Sequence, residues 1–130
     1  MIVIDSSVLI DALHRKETSL KKIRELEKKG EILCTTQVNV LELFKGVCSP
    51  TRSERGLEKV KKLLDAFVIL SINEDTYEMF GELSAELRRR GAAIGDFDEL
   101  IASIALTQEA AIVTRDCHFK RVPGLQVILP

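Results

Sequence analysis

The sequence predicts an α/β fold with a mostly parallel sheet covered by helices on both faces, because short uncharged apolar runs alternate with longer segments of helical period. The runs at residues 1–4, 32–34, 67–70 and 110–113 are too short for helices and rich in β-branched residues. At 130 residues, 45% of them hydrophobic, the chain has enough apolar material for one core, and residues 1–130 read as a single domain.

Taken in order, residues 1–4 form a buried strand, and Ser6 or Ser7 caps a short helix through Val8, Leu9 and Ala12. Residues 17–29 keep Leu20, Ile23 and Leu26 on one side of a charged helix that Gly30 ends. After the second strand, at 32–34, Thr36 caps a helix with Val38, Leu41, Lys45 and Cys48 along one face. Thr51 and Glu54 have capping-box spacing ahead of Leu57, Val60, Leu63 and Leu64. The third strand, 67–70, leads to Asn73, the cap of a helix bearing Tyr77, Phe80, Leu83 and Leu87. Arg88, Arg89 and Arg90 at its end complement the helix dipole. Gly95 precedes an apolar helix over 97–106; strands at 110–113 and 126–129 follow, the last at an edge.

Nineteen basic against 20 acidic residues give a net charge of −1, which excludes a polycation that coats nucleic acid by charge alone. The longest apolar run, 66–70, is far short of a membrane span. The N-terminus lacks the basic region of a signal peptide, so a reducing cytoplasm is the expected location. Cys34, Cys48 and Cys117 have neither disulfide-framework nor zinc spacing, and Cys34 and Cys48 read as small packed hydrophobes. Nucleophile-elbow and phosphate-cradling glycine motifs are absent.

In a parallel sheet, functional groups gather beyond the carboxyl ends of the strands. Asp5 follows the first strand and Asp116 the fourth, so both belong to one rim. Glu42 is an acid among apolar neighbours on the helix after the second strand, and Asp98 opens the helix that leads into the fourth. Each also has a plain reading: Asp5 as a cap, Glu42 paired with Lys45, Asp116 as a turn residue, Asp98 as a first-turn acid. Asp96 with Glu99 fits an N-cap and N3 pair, which sets Asp98 at N2. As a set, converging carboxylates repel unless a hard cation neutralises them, and oxygen donors favour Mg²⁺ or Mn²⁺ over zinc. His14 and His118 read as surface or capping residues, and Asp11 as solvent-facing.

Asp5-Ser-Ser-Val-Leu-Ile-Asp, Asn39-Val-Leu-Glu42, Ile94-Gly-Asp-Phe-Asp98-Glu-Leu-Ile-Ala-Ser and Val113-Thr-Arg-Asp116, with Phe119 and Val122-Pro-Gly-Leu125, resemble the PIN domain, and within it the VapC-type toxins. The resemblance implies a three-layer α/β/α sandwich and a Mg²⁺- or Mn²⁺-dependent endoribonuclease, homodimeric and held by a cognate antitoxin that reaches into the active-site groove. It carries the acids over to Asp5, Glu42, Asp98 and Asp116, with Asp96 as a fifth contributor to metal binding. Ser6 and Thr114 would orient carboxylates or water. Lys45, Arg115, Lys120 and Arg121 are the candidate RNA contacts. One Tyr and no Trp argue against a base-stacking platform. Ser103 stands where the family often has alanine. The other readings of the same residues are a PIN nuclease of RNA maturation and a catalytically silent binding module.

Overall fold

The computed structural model describes residues 1–130. Twelve elements run β1 (Ile2–Ile4), α1 (Ser6–Leu13), α2 (Glu17–Lys28), β2 (Leu33–Thr36), α3 (Gln37–Cys48), α4 (Glu54–Leu64), β3 (Val68–Leu70), α5 (Glu74–Arg89), α6 (Asp96–Thr107), β4 (Ala111–Val113), a 3₁₀ turn (Cys117–Arg121) and β5 (Val127–Ile128). Every strand pair is parallel, in the order β3-β2-β1-β4-β5. The expected α/β architecture with both faces covered is therefore present. No helix is long and apolar enough to cross a membrane.

The pleat sorts the apolar residues of each strand into two cores. Val3, Cys34 and Ile112, level in register, pack with Leu83 and Leu87 of α5 and Ile101, Ala102 and Ala105 of α6. Ile2, Ile4, Leu33 and Val113 face the other way, onto Val8 and Leu9 of α1, Ile23 and Leu26 of α2, and Val60 and Leu64 of α4. Helix α3 serves both cores, sending Val38 to the first and Leu43 to the second. It thus crosses the carboxyl end of the sheet and carries its polar side chains to the rim.

The direction of winding reverses between β1 and β4: the chain runs outward through β2 and β3 on one side and through β5 on the other. Ligands of open parallel sheets bind at such a switch point. Asp5 leaves β1 and Thr114–Asp116 leave β4 on its two sides.

Several local expectations change. Ser6 and Ser7 lie inside α1; Asp5 holds the cap position, but its side chain makes no capping bond because it is committed elsewhere. Ser53, not Thr51, caps α4 by accepting the Gly56 N–H. Leu41 and Tyr77 are 62% and 66% exposed, since the buried stripes of α3 and α5 run through Val38 and Leu43 and through Leu83 and Leu87. Cys34 is buried as expected, whereas Cys48 at the end of α3 is exposed. Helix α6 starts one residue early, at Asp96: Gly95 has φ +100°, a region open to glycine, and takes the cap position. Glu99 is buried and accepts the Ile94 N–H at 3.2 Å instead of closing a capping box. Ser103 is buried and donates to the Glu99 carbonyl at 2.7 Å, which accommodates a hydroxyl in the close-packed helix.

Leu87→Ala is expected to destabilise the chain by about 2–5 kcal/mol, the cost of a core cavity. Tyr77→Ala should change stability by less than about 0.5 kcal/mol, as surface substitutions do. Urea unfolding of the two variants measures the contrast.

Candidate active site

Asp5 is buried at the carboxyl end of β1, where a carboxylate needs partners to stay charged. Three elements supply them. Asn39 of α3 donates from Nδ2 to Oδ1 at 3.0 Å; Thr114, after β4, donates from Oγ1 to Oδ2 at 2.6 Å; Ser7 of α1 donates to Oδ2 at 3.1 Å. Asn39 is itself fixed by the start of its own helix. Its Oδ1 accepts the Thr36 N–H and hydroxyl, while its N–H donates to Thr36 Oγ1. The Asn39 amide thus points Nδ2 out of the capping box at Asp5 and, at 2.8 Å, at Ser6 Oγ.

Ser6 passes this order on, donating to Glu42 Oε1 at 2.7 Å. Glu42 sits one turn beyond Asn39 on α3, and Ser6, not Lys45, is its hydrogen-bond partner. Burial pushes its carboxyl above the usual range, the Ser6 bond opposes this, and the Asp5 charge adds to the rise.

Asp98, in the first turn of α6, approaches from the other core. Ligand atoms of Asp98, Asp116 and His118 all lie within 4.8 Å of one another. The Asp98 carboxyl is pushed up to about 6, first by burial and then by the negative charges of Asp116, Asp5 and Glu42. Of the four acids of the sequence reading, Asp98 and Asp116 bring their ligand atoms together, and Asp5 and Glu42 act on Asp98 through their charges. Asp116 is oriented by its backbone N–H, which donates to Thr114 Oγ1 at 2.9 Å. Its Oδ1 accepts the His118 N–H at 2.9 Å and lies 3.2 Å from His118 Nδ1.

A carboxylate cluster that raises one member's affinity for protons is also a cluster with affinity for a cation. The donors are oxygens with a single imidazole, the chemistry of Mg²⁺ or Mn²⁺ and not of a closed zinc site, so the residues present fit a hard divalent metal.

His118 is exposed, as its surface reading expects, and the 3₁₀ turn after Asp116 sets its Nδ1 3.2 Å from that carboxylate. Asp96 is exposed at the first position of α6, outside the group that converges. Asn39 is the residue to which sequence reasoning gave no role; its spacing of three from both Thr36 and Glu42 was the available signal. Lys45, Arg115, Lys120 and Arg121 are all exposed. Lys45 lines an open groove with Ser6, Glu42 and the exposed ring of Phe97. Arg121 Nη1 donates to the Ala93 carbonyl at 3.3 Å.

Comparison with known proteins finds similar sequences and structures over nearly the whole chain. Ribonuclease VapC2 of Rickettsia felis is 29% identical over 124 residues, covering 95% of this chain and 92% of that protein. Ribonuclease VapC1 of Methanocaldococcus jannaschii is 31% identical over 129 residues, covering 97% of this chain and 85% of that protein. Among solved structures, VapBC2 from Rickettsia felis bound to a DNA fragment from its promoter superposes with a TM-score of 0.92 at 26% identity, covering 100% of this chain and 99% of that one. The PIN domain family model matches residues 2–125, nearly the whole chain. The chain belongs to the PIN domain family.

Proposed function

We propose that this chain is a VapC-type toxin: an endoribonuclease that hydrolyses RNA phosphodiester bonds with Mg²⁺ or Mn²⁺ and is restrained by a cognate antitoxin. The observation that carries the reading is the convergence of Asp98 and Asp116 at the switch point, with Asp5 and Glu42 close enough to raise the Asp98 pKa. The ribonucleases among the relatives and the VapBC complex among the similar structures support the activity and the antitoxin. A homodimer is part of the proposal.

In this reading Asp5, Glu42, Asp98 and Asp116 would hold the metal, which when bound acidifies water and neutralises phosphate charge. The remaining work falls to the protein's own groups. Asn39, Thr114 and Ser7 keep the Asp5 carboxylate fixed, and Ser6 does the same for Glu42, so the negative site is organised before a cation enters. Asp96, exposed at the helix start, is assigned to α6 and not to the metal. Lys45, Arg115, Lys120 and Arg121 grip the RNA backbone, giving a net-acidic chain local positive charge where the phosphates run.

Asp98→Asn is expected to cut RNA cleavage by more than about 100-fold, beyond the loss typical of an outer partner. The assay is a structured RNA pool with Mg²⁺ or Mn²⁺, beside an EDTA control that should abolish cutting. Equal cleavage by wild type and variant in both metals would overturn the reading.

The same variant tests the electrostatics. Asp98 titrates near 6 in the folded chain against 3.8 as a free carboxyl, so between these values the folded state holds the extra proton and stability falls as pH rises. Without metal, Asp98→Asn should remove that slope and gain about 1 kcal/mol at pH 7, a figure reduced for solvent screening of a half-buried group. Urea unfolding at pH 4 and pH 7 reads it.

Asn39→Ala leaves the Asp5 Oδ1 acceptor and the Thr36 hydroxyl short of a partner. Its expected cost is about 1–3 kcal/mol of stability, read by thermal unfolding. Cleavage should fall about 10–100-fold, as for the loss of an outer-shell partner.

A further inference from the structure

Asp11 lies outside the acid site, yet it is only 4% exposed, against the expectation that it faces solvent. Its Oδ2 accepts the Ser19 hydroxyl at 2.9 Å and lies 2.8 Å from Nε of Arg115. Its Oδ1 stands 3.5 Å from Lys16 Nζ and receives no hydrogen bond. Ser19 and Lys16 lie at the start of α2, whereas Arg115 comes from the far end of the chain, between the Asp5 partner Thr114 and the acid Asp116. The Arg115 backbone N–H donates to Ser7 Oγ at 3.2 Å, so main chain and side chain are both tied to α1. The Arg115 side chain donates no hydrogen bond within the chain and is about half exposed.

We infer that Asp11 is a positioning residue: its buried carboxylate pairs with Arg115 and keeps the guanidinium beside Asp116, where its N–H donors take a backbone phosphate of RNA. The inference rests on the ribonuclease reading. The ion pair with a buried carboxylate limits where the guanidinium sits, and its planar set of N–H donors suits two oxygens of a phosphate. Stabilising the α1–α2 turn would need Ser19 and Lys16 alone; the Arg115 contact brings the loop after β4 to the same carboxylate.

The sign of one substitution separates positioning from simple charge. Asp11→Asn removes a negative charge next to the cation, which by charge alone strengthens binding to a polyanion. Positioning makes it weaken binding. The test compares Asp11→Asn, Arg115→Ala and the double variant, all on an Asp98→Asn background with Mg²⁺ so that the RNA stays intact. The probe is a fluorescent mixed-sequence single-stranded oligoribonucleotide titrated by anisotropy over a salt series. Each single variant should weaken binding about tenfold, the worth of one charge-assisted contact. Each should also lower the salt slope by about 0.7, the share of one phosphate on a single strand. The double variant should lose no more than either single one, because both changes remove the same contact. Stronger or unchanged binding by Asp11→Asn, or additive losses, would overturn the inference.

Circular dichroism melts check folding. Should Asp11→Asn fail to fold, Arg115→Lys keeps the charge near Asp11 but lacks the fork, and it must weaken binding by a similar factor; affinity equal to the background overturns the inference. Cleavage by the wild-type protein is measured in parallel. A wild type that cuts RNA beside an Asp11→Asn that binds normally sinks this inference alone, whereas a wild type that neither cuts nor binds RNA sinks the ribonuclease reading and the inference with it.

Discussion

The buried carboxylate of Asp5 is the constraint around which the rim is built. A charge removed from water at the end of a central strand costs several kcal/mol unless donors replace its hydration, on the order of magnitude seen for buried ions generally. No single segment could supply them. Ser7 comes from the helix that follows, Asn39 from the helix after β2, and Thr114 from the turn after β4. Meeting the demand of one side chain therefore brings three elements to one point and fixes their relative positions. The backbone reinforces this, since the Asp5 N–H still donates to the Val113 carbonyl at 3.0 Å and extends the β1–β4 pairing to the residue that carries the charge.

Beyond Asp5 the site works against stability. Glu42 and Asp98 are each raised in pKa by burial and by neighbouring carboxylates, so the fold holds like charges closer than they would settle alone. The two cores on either side of the sheet supply the opposing energy. Val3, Ile4, Ile112 and Val113 are fully buried within a few residues of the rim, on strands too short to shift register without turning apolar side chains toward polar surroundings. Repulsion that a divalent cation would relieve is what a site designed to take one must carry in its absence.

Parallel topology explains why the acids meet although they are far apart in the chain. All five strands point the same way, so every strand end delivers its following residue to one rim, and the reversal between β1 and β4 opens a crevice there. Helix α3 crosses that rim with Val38 in one core and Leu43 in the other, which leaves Asn39 and Glu42 at the crevice. Helix α6 reaches the same point from the opposite core, its start set by the positive φ of Gly95.

Local pattern is enough for the order of strands and helices, the capping residues Thr36 and Asn73, the alternation that buries both faces of the sheet, and the placement of Asp5 and Asp116 just beyond strands, Asp98 at a helix start and Glu42 on the helix after β2. These follow from hydrophobic period and from backbone groups that neighbours within a few residues must satisfy. Tertiary structure decided whatever turns on contacts between distant segments. The exposure of Leu41 and Tyr77 depends on which helices pack alongside. The pairing of Asp11 with Arg115 and the approach of His118 to the acids depend on the segment after β4, and the role of Asn39 depends on Asp5 lying across from it. A local reading sees an isolated polar residue in each case, because the charge or donor that gives it a purpose arrives from another part of the chain.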